Sequence, residues 1–217
     1  MNFEQTRKNM IECQIKPWNV NDQAVLNVLS DIHREDFLPA AYRSLAFADI
    51  SIALEHGQYT MTPKVEARIL QTLKIKATDN ILEVGTGCGY LTALLTAFSY
   101  HVVSVDIYVE FIQQAQKKLQ KYNIENVTLE LGDAIHGWQE NAPYDVIVVT
   151  GSIPHLDNTI QQQLKMNGRL FIVVGKLPIM EAMLITRTEE NKWHSEVLFE
   201  TTLPPLIGTK PTNLFKF

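Results

Sequence analysis

The chain has 217 residues, 46% of them hydrophobic and 20% charged, the proportions of an ordinary globular protein with one buried core. Its formal net charge of −5 gives no electrostatic reason for nucleic acid or an anionic membrane as partner, and no apolar run approaches the roughly 18 residues of a spanning helix. Cys13 and Cys88 stand apart, with no CxxC and no Cys/His cluster at metal spacing, so neither a disulfide scaffold nor a metal site is expected.

The opening MNFEQTRKNMIECQIK is broken by charges and does not read as a secretory signal, which places the expected location in the cytoplasm. Residues 1–55 read as helical and irregular. Asn21 and Asp22 cap an amphipathic helix carrying Val25, Val28, Leu29 and Ile32, and Pro39 ends the next piece. A helix from Pro63 to Lys74 has proline in its first turn and Val65, Ile69, Leu70 and Leu73 on one face.

From residue 80 onward strands and helices alternate. The predicted strands are 80–84, 101–107, 126–131, 144–150 and 168–175. The predicted helices are 90–98, 109–122 (with Phe111, Ile112, Ala115 and Leu119 inward) and 156–164. Short runs of Val, Ile and Leu between helices describe a parallel sheet covered on both faces. Residues 181–188 and 192–201 are strand-like, and the intervening turn predicts an antiparallel hairpin.

The most informative stretch is Glu83-Val84-Gly85-Thr86-Gly87-Cys88-Gly89-Tyr90, where a strand runs into three alternating glycines and then a helix. Glycines let the backbone turn sharply and approach a ligand. The dinucleotide fingerprint GxGxxG would need a third glycine where Tyr90 stands, which argues against a nicotinamide-dependent oxidoreductase. An acid two residues before the loop would repel a pyrophosphate but suits an ammonium group, the amino-acid end of S-adenosylmethionine. Asp106, 17 residues beyond Gly89, ends the second strand where a carboxylate can accept from both ribose hydroxyls. Gly132-Asp133-Ala134 follows the third strand, where a carboxylate can meet an adenine amino group, and Thr150-Gly151-Ser152 closes the fourth. Each piece alone has a plainer reading as a turn or cap; their order, each at a strand end, carries the inference. The expected cofactor is S-adenosyl-L-methionine, held by Glu83, Gly85, Thr86, Gly87, Cys88, Gly89, Asp106, Ile107, Asp133, Ala134 and Thr150. The expected fold is α/β, a Rossmann-like class I methyltransferase with a mostly parallel doubly wound sheet, an antiparallel C-terminal hairpin and an N-terminal helical segment.

Five segments resemble the protein-L-isoaspartate O-methyltransferase family: RKNMIECQI, VLNVLSDIHREDFLPAAYRSLAFAD, His56-Gly57-Gln58, ILEVGTGCGYLTALL and GRLFIVVG. The resemblance runs through most of the chain, and its upstream elements discriminate better than the glycine loop. It implies methyl transfer to the free carboxylate of isoaspartyl residues in damaged peptides or proteins. Where the family's substrate loop reads His-Gly-Gln-Thr-Ile-Ser-Gln-Pro, this chain reads His56-Gly57-Gln58-Tyr59-Thr60-Met61-Thr62-Pro63. Met61 stands at the serine position and offers no hydroxyl. Thr60, Met61 and Thr62 are therefore the candidate catalytic residues of the loop. The alternative is a relative that binds the cofactor but methylates another substrate, or recognises a protein partner without catalysis. One methyltransferase domain over 1–217 is expected, with the helical and substrate-loop segment at 1–62 and the cofactor-binding core at 63–217.

Overall fold

The computed structural model describes residues 2–209. Helix α1 (Phe3–Met10) is capped by Asn2, whose side chain accepts from the Gln5 amide, and continues through a wide turn at Ile11–Ile15 and a tight one at Lys16–Trp18. Helix α2 (Gln23–Asp31) starts where predicted, with Asp22 Oδ1 accepting from the Ala24 amide at 2.9 Å. Such a cap stabilises a helix by about 1 kcal/mol. α3 (Arg34–Phe37) is a single turn, and Leu38, the residue before Pro39, is extended. α4 (Pro63–Leu73) buries Val65, Ile69, Leu70 and Leu73, the face its spacing predicts.

The alternating half is β1 (Asn80–Val84), α5 (Tyr90–Thr96), β2 (His101–Asp106), α6 (Val109–Lys121), β3 (Val127–Leu131), β4 (Tyr144–Ile153), α7 (Asn158–Gln162) and β5 (Leu164–Lys176). β6 (Ile179–Glu189) and β7 (Lys192–Thr201) complete one sheet of order β3-β2-β1-β4-β5-β6-β7. The first five strands pair in parallel, and β5-β6-β7 pair antiparallel, as the hairpin reading predicts. Side chains alternate across the sheet with a period of two. Ile81, Val146 and Val148 face a core shared with the N-terminal helices and α4, while Leu82, Val84, Ile147 and Val149 face a second core with Ile160 and Leu164.

The structure differs from the predicted elements most at three places; α5 also ends two residues early, at Thr96, and β5 begins four early, at Leu164. The helix predicted at 156–164 covers only Asn158–Gln162, because the sheet captures the next two residues. The Tyr144 amide donates to the Gln163 carbonyl at 2.8 Å and Leu164 pairs with Tyr144. β4 runs on to Ile153, where Ser152 and Ile153 pair with Val173 and Val174 beyond an irregularity. Ile112 is half-buried rather than inward, leaving Phe111, Ala115 and Leu119 as the buried face of α6.

Strand order turns at β1, which has β2 on one side and β4 on the other. In an open α/β sheet the crevice beyond the carboxyl ends of such strands is where ligands bind.

Candidate cofactor site and substrate loop

Gly85, Gly87 and Gly89 all adopt positive φ, at 96°, 50° and 83°, a region that L side chains rarely occupy. A Cβ on Gly85 would collide with Thr150 Oγ1, which lies 2.9 Å from the carbonyls of both Val84 and Gly85. Thr150 thus ties the end of β4 to the loop after β1. Gly89 serves packing instead. A Cβ there would stand 2.9 Å from Ala115 Cβ, so the glycine permits the close approach of the loop entering α5 to α6.

Beyond the strand ends lies a cleft. Gly85, Gly87, Asp106, Ile107, Asp133, Ala134 and Thr150 line it, seven of the eleven residues expected to hold the cofactor. Glu83, Thr86 and Cys88 line a smaller chamber behind it, which shares Gly85, Gly87 and Thr150 with the cleft. Gly89 is not among the lining residues of either space.

The two acids at the strand ends differ. Asp106 Oδ2 accepts from the Gly87 amide at 2.9 Å and Oδ1 from the Tyr108 amide at 3.0 Å, so it orders both loops while its carboxylate borders the cleft. Its pKa is raised, chiefly by burial. Glu83 is fully buried; its Oε2 accepts from Thr92 Oγ1 at 2.5 Å and Ser104 Oγ at 2.6 Å, while Oε1 has no partner among the described residues. Burial, with the charges of Asp106 and Glu66 nearby, pushes its pKa up to about 8. An unpaired carboxylate oxygen beside other acids, at the wall of a chamber, is a place that a cationic group would satisfy. Asp133 is exposed, and its Oδ1 accepts from the Ile135 amide at 3.0 Å.

The expected substrate loop folds across the mouth of the cleft. His56 is left-handed at φ 55°; its ring stacks on Tyr108 with centroids 3.9 Å apart and meets Phe111 edge-on. Leu54, Gln58 and Tyr59 line the cleft, and Tyr59, Thr60 and Met61 line the inner chamber. The Thr60 hydroxyl accepts from Arg34 Nη2 at 3.1 Å and from the Ile52 amide at 3.0 Å. Met61 is buried against the hydrophobic core. Thr62 stands at the start of α4; its Oγ1 is buried without a partner among the described residues, and it lines neither space.

Several lining residues escape sequence reasoning. Tyr108 and Phe111 are visible only as part of a helix start. After β7 the chain returns alongside β4, where the Ser152 amide donates to the Pro204 carbonyl and the Leu206 amide to the Ser152 carbonyl, both at 2.9 Å. Pro204 to Ile207 thereby become one wall of the cleft. The Pro-Pro pair signals an extended segment, but not where it docks. Among the described residues no group of His, Cys, Asp and Glu could hold a metal ion, and no helix is long and apolar enough to cross a membrane.

The sequence profile of the Protein-L-isoaspartate(D-aspartate) O-methyltransferase (PCMT) family matches residues 5–210. The chain belongs to this family. A protein-L-isoaspartate O-methyltransferase of Protochlamydia amoebophila (strain UWE25) is 34% identical over 92% of this chain and 95% of its own length. Another, from Pelobacter propionicus, is 33% identical over 96% of this chain and 93% of its own. A solved protein-L-isoaspartate O-methyltransferase superposes with a TM-score of 0.79 at 26% identity, covering 94% of this chain and 66% of that longer one. A family structure from Plasmodium falciparum, solved with S-adenosyl-L-homocysteine, shares the fold with a TM-score of 0.77 at 20% identity, over 95% of this chain and 98% of that one. The mostly parallel sheet ending in antiparallel strands is the family's Rossmann-like fold.

Proposed function

We propose that this chain is an S-adenosylmethionine-dependent O-methyltransferase that methylates the free carboxylate of isoaspartyl residues in damaged peptides and proteins. The observation that carries the reading is the family profile over 5–210, joined to a cleft with acids at the ends of β1 and β2. The residues fit the cofactor. Glu83 Oε1 is a buried acceptor lacking a donor, as the amino-acid ammonium requires, and Gly85 and Gly87 put no side chain of their own into the cleft. Asp106 would take the ribose hydroxyls, with Ile107, Asp133 and Ala134 at the adenine and Thr86, Cys88 and Thr150 around the methionine end. Gly89 supports the loop through its contact with Ala115. The bound cofactor supplies an electrophilic methyl group on a sulfonium.

The acceptor carboxylate is already anionic at neutral pH, so the chain need not provide a general base. Its work is to place the carboxylate in line and to exclude water. Tyr59, Thr60 and Met61 line the chamber where that placement would occur. The segments 1–62 and 63–217 act in this reading as one domain; Met10, Ile15 and Phe37 pack in the same core as Ile81 and Val102.

The test is transfer of a labelled methyl group to an isoaspartyl peptide, with the matching aspartyl peptide as control. Turnover on the isoaspartyl peptide alone is expected; equal labelling of both, or of neither, rejects the reading.

A further inference from the structure

The segment from Ala46 to Thr62 has little internal support. Its only regular features are one tight turn at Glu55–Gly57 and a single antiparallel bridge between Ala53 and Tyr59. Yet it presents Leu54, Gln58 and Tyr59 to the cleft. Something outside the segment must hold it.

His56 stacks on Tyr108, and Lys64 pairs with Asp49, but the support that reaches both ends of the segment is Arg34. It lies on α3, is 2% exposed and lines neither the cleft nor the inner chamber. Its Nη1 donates to the Ala46 carbonyl at 3.1 Å, where the segment begins. Its Nη2 donates to the Met61 carbonyl at 2.7 Å and to Thr60 Oγ1 at 3.1 Å, where the segment ends. Thr60 then passes the constraint across: its Oγ1 accepts from the Ile52 amide at 3.0 Å, and its own amide donates to the Ile52 carbonyl at 2.9 Å. On the far edge of the guanidinium, Nε donates to Glu66 Oε2 of α4 at 3.0 Å. One rigid planar fork therefore joins both ends of the loop to the helix that leads into β1. A lysine ammonium, a point donor on a flexible stem, cannot span these partners.

We infer that Arg34 is the positioning residue of the substrate loop, setting Tyr59, Thr60 and Met61 against the place where acceptor and methyl donor meet. The inference rests on the proposed function for its catalytic consequence, but not for its structural one. Displacement of a positioned group by about 1 Å can cost on the order of a hundredfold in rate. The contacts divide by function: Nη1 and Nη2 reach the loop, whereas Nε is held by Glu66, which itself borders the inner chamber.

A buried ion pair can be replaced by apolar residues of similar volume with little loss of stability, so Arg34→Met/Glu66→Leu should fold. Hydrogen exchange on this variant, on Arg34→Lys and on Glu66→Gln reads the loop directly. Faster exchange is expected at the Ile52 and Thr60 amides in the two Arg34 variants, with β1 and β4 amides still protected. Glu66→Gln, which keeps an acceptor for Nε, should retain loop protection. Arg34→Lys, which leaves Glu66 in place at the chamber, should lose tenfold or more in kcat on an isoaspartyl peptide, with a much smaller change in S-adenosylhomocysteine affinity. Unchanged protection at Ile52 and Thr60 overturns the inference whether or not the chain methylates any peptide. So does a freed loop with kcat intact, and so does Glu66→Gln releasing the loop as fully as Arg34→Lys. If the wild type leaves the isoaspartyl peptide untouched, the proposed function fails while the exchange arm still decides the role of Arg34.

Discussion

Met61 stands where the resemblance leads one to expect the substrate-loop serine, and its surroundings give that expectation a physical content. The side chain is 6% exposed, packs in the core and borders the chamber that Glu83, Thr60 and Cys88 also line. Thioether sulfur donates no hydrogen bond to a carboxylate. Thr60 keeps its hydroxyl at the chamber, but that oxygen already accepts from Arg34 and the Ile52 amide. Only its proton remains to be offered. Met61→Ser is expected to raise turnover on an isoaspartyl peptide by about ten- to a hundredfold, the worth of a hydrogen bond to a charged acceptor of roughly 1.5–3 kcal/mol. The same substitution empties buried volume, so the melting temperature should fall, as for other large-to-small core changes. Side-by-side steady-state kinetics and thermal melts on the two proteins check both signs. A wild type already as active as an ordinary family member, with no gain from serine, would assign the donor role to Thr60 or Thr62.

At the scale of elements, the glycine loop is three glycines doing two jobs. Gly85 and Gly87 border the cleft, whereas Gly89, at the entry to α5, sits against Ala115 of α6. A Cβ at Gly89 would meet both Cβ and Cα of Ala115, the latter backbone that cannot swing aside, and φ of 83° adds strain of its own. Gly89→Ala should therefore lower stability by about 1–3 kcal/mol, the range for overpacking, read as an earlier midpoint in urea. Gly57 is the internal comparison: it too has positive φ, but a Cβ there meets nothing within 4 Å. Gly57→Ala should show only the smaller cost of the backbone strain. Equal losses at both sites would mean that the close contact with Ala115 is not what Gly89 serves. The hairpin of β6 and β7 is also legible in the sequence, because two strand-like runs around a short polar turn have few alternatives.

For the whole molecule, the main electrostatic liability is the pair of buried acids, Glu83 and Glu66. Burial lifts Glu83 from an ordinary 4.5 to about 8, and lifts Glu66 to about 7 against the pull of the Arg34 guanidinium. A raised carboxyl pKa means that the folded chain holds a proton the unfolded chain has released. Stability therefore falls as pH rises above the unfolded value near 4.5, and the loss is complete past the folded value near 8. Glu83→Gln is neutral throughout and keeps an acceptor for Thr92 and Ser104. It should flatten the stability profile between about pH 5 and 8 and raise stability at the alkaline end by on the order of a few kcal/mol. Thermal melts across that range test this; parallel curves for the two proteins would show that Glu83 does not titrate there.

What the amino-acid sequence determined by itself was local or periodic. The five parallel strands follow from short Val/Ile/Leu runs, α4 from apolar residues three and four apart behind a proline, and the glycine turn from its own spacing. Because the acids at strand ends share one edge of a parallel sheet, Glu83, Asp106 and Asp133 are legible as neighbours from the sequence alone. Only the tertiary structure decided what depends on pairing across distance. The helix predicted at 156–164 is shortened by a sheet that captures Gln163 and Leu164. Pro204 to Ile207 became a cleft wall because Ser152 offered its backbone. Arg34 and Glu66 sit in segments whose pattern assigns charged residues to solvent, yet each is buried by the other, 32 positions apart. A charge can enter a core only with its partner, and which partner it finds is set by how helices and loops fold back, not by local sequence.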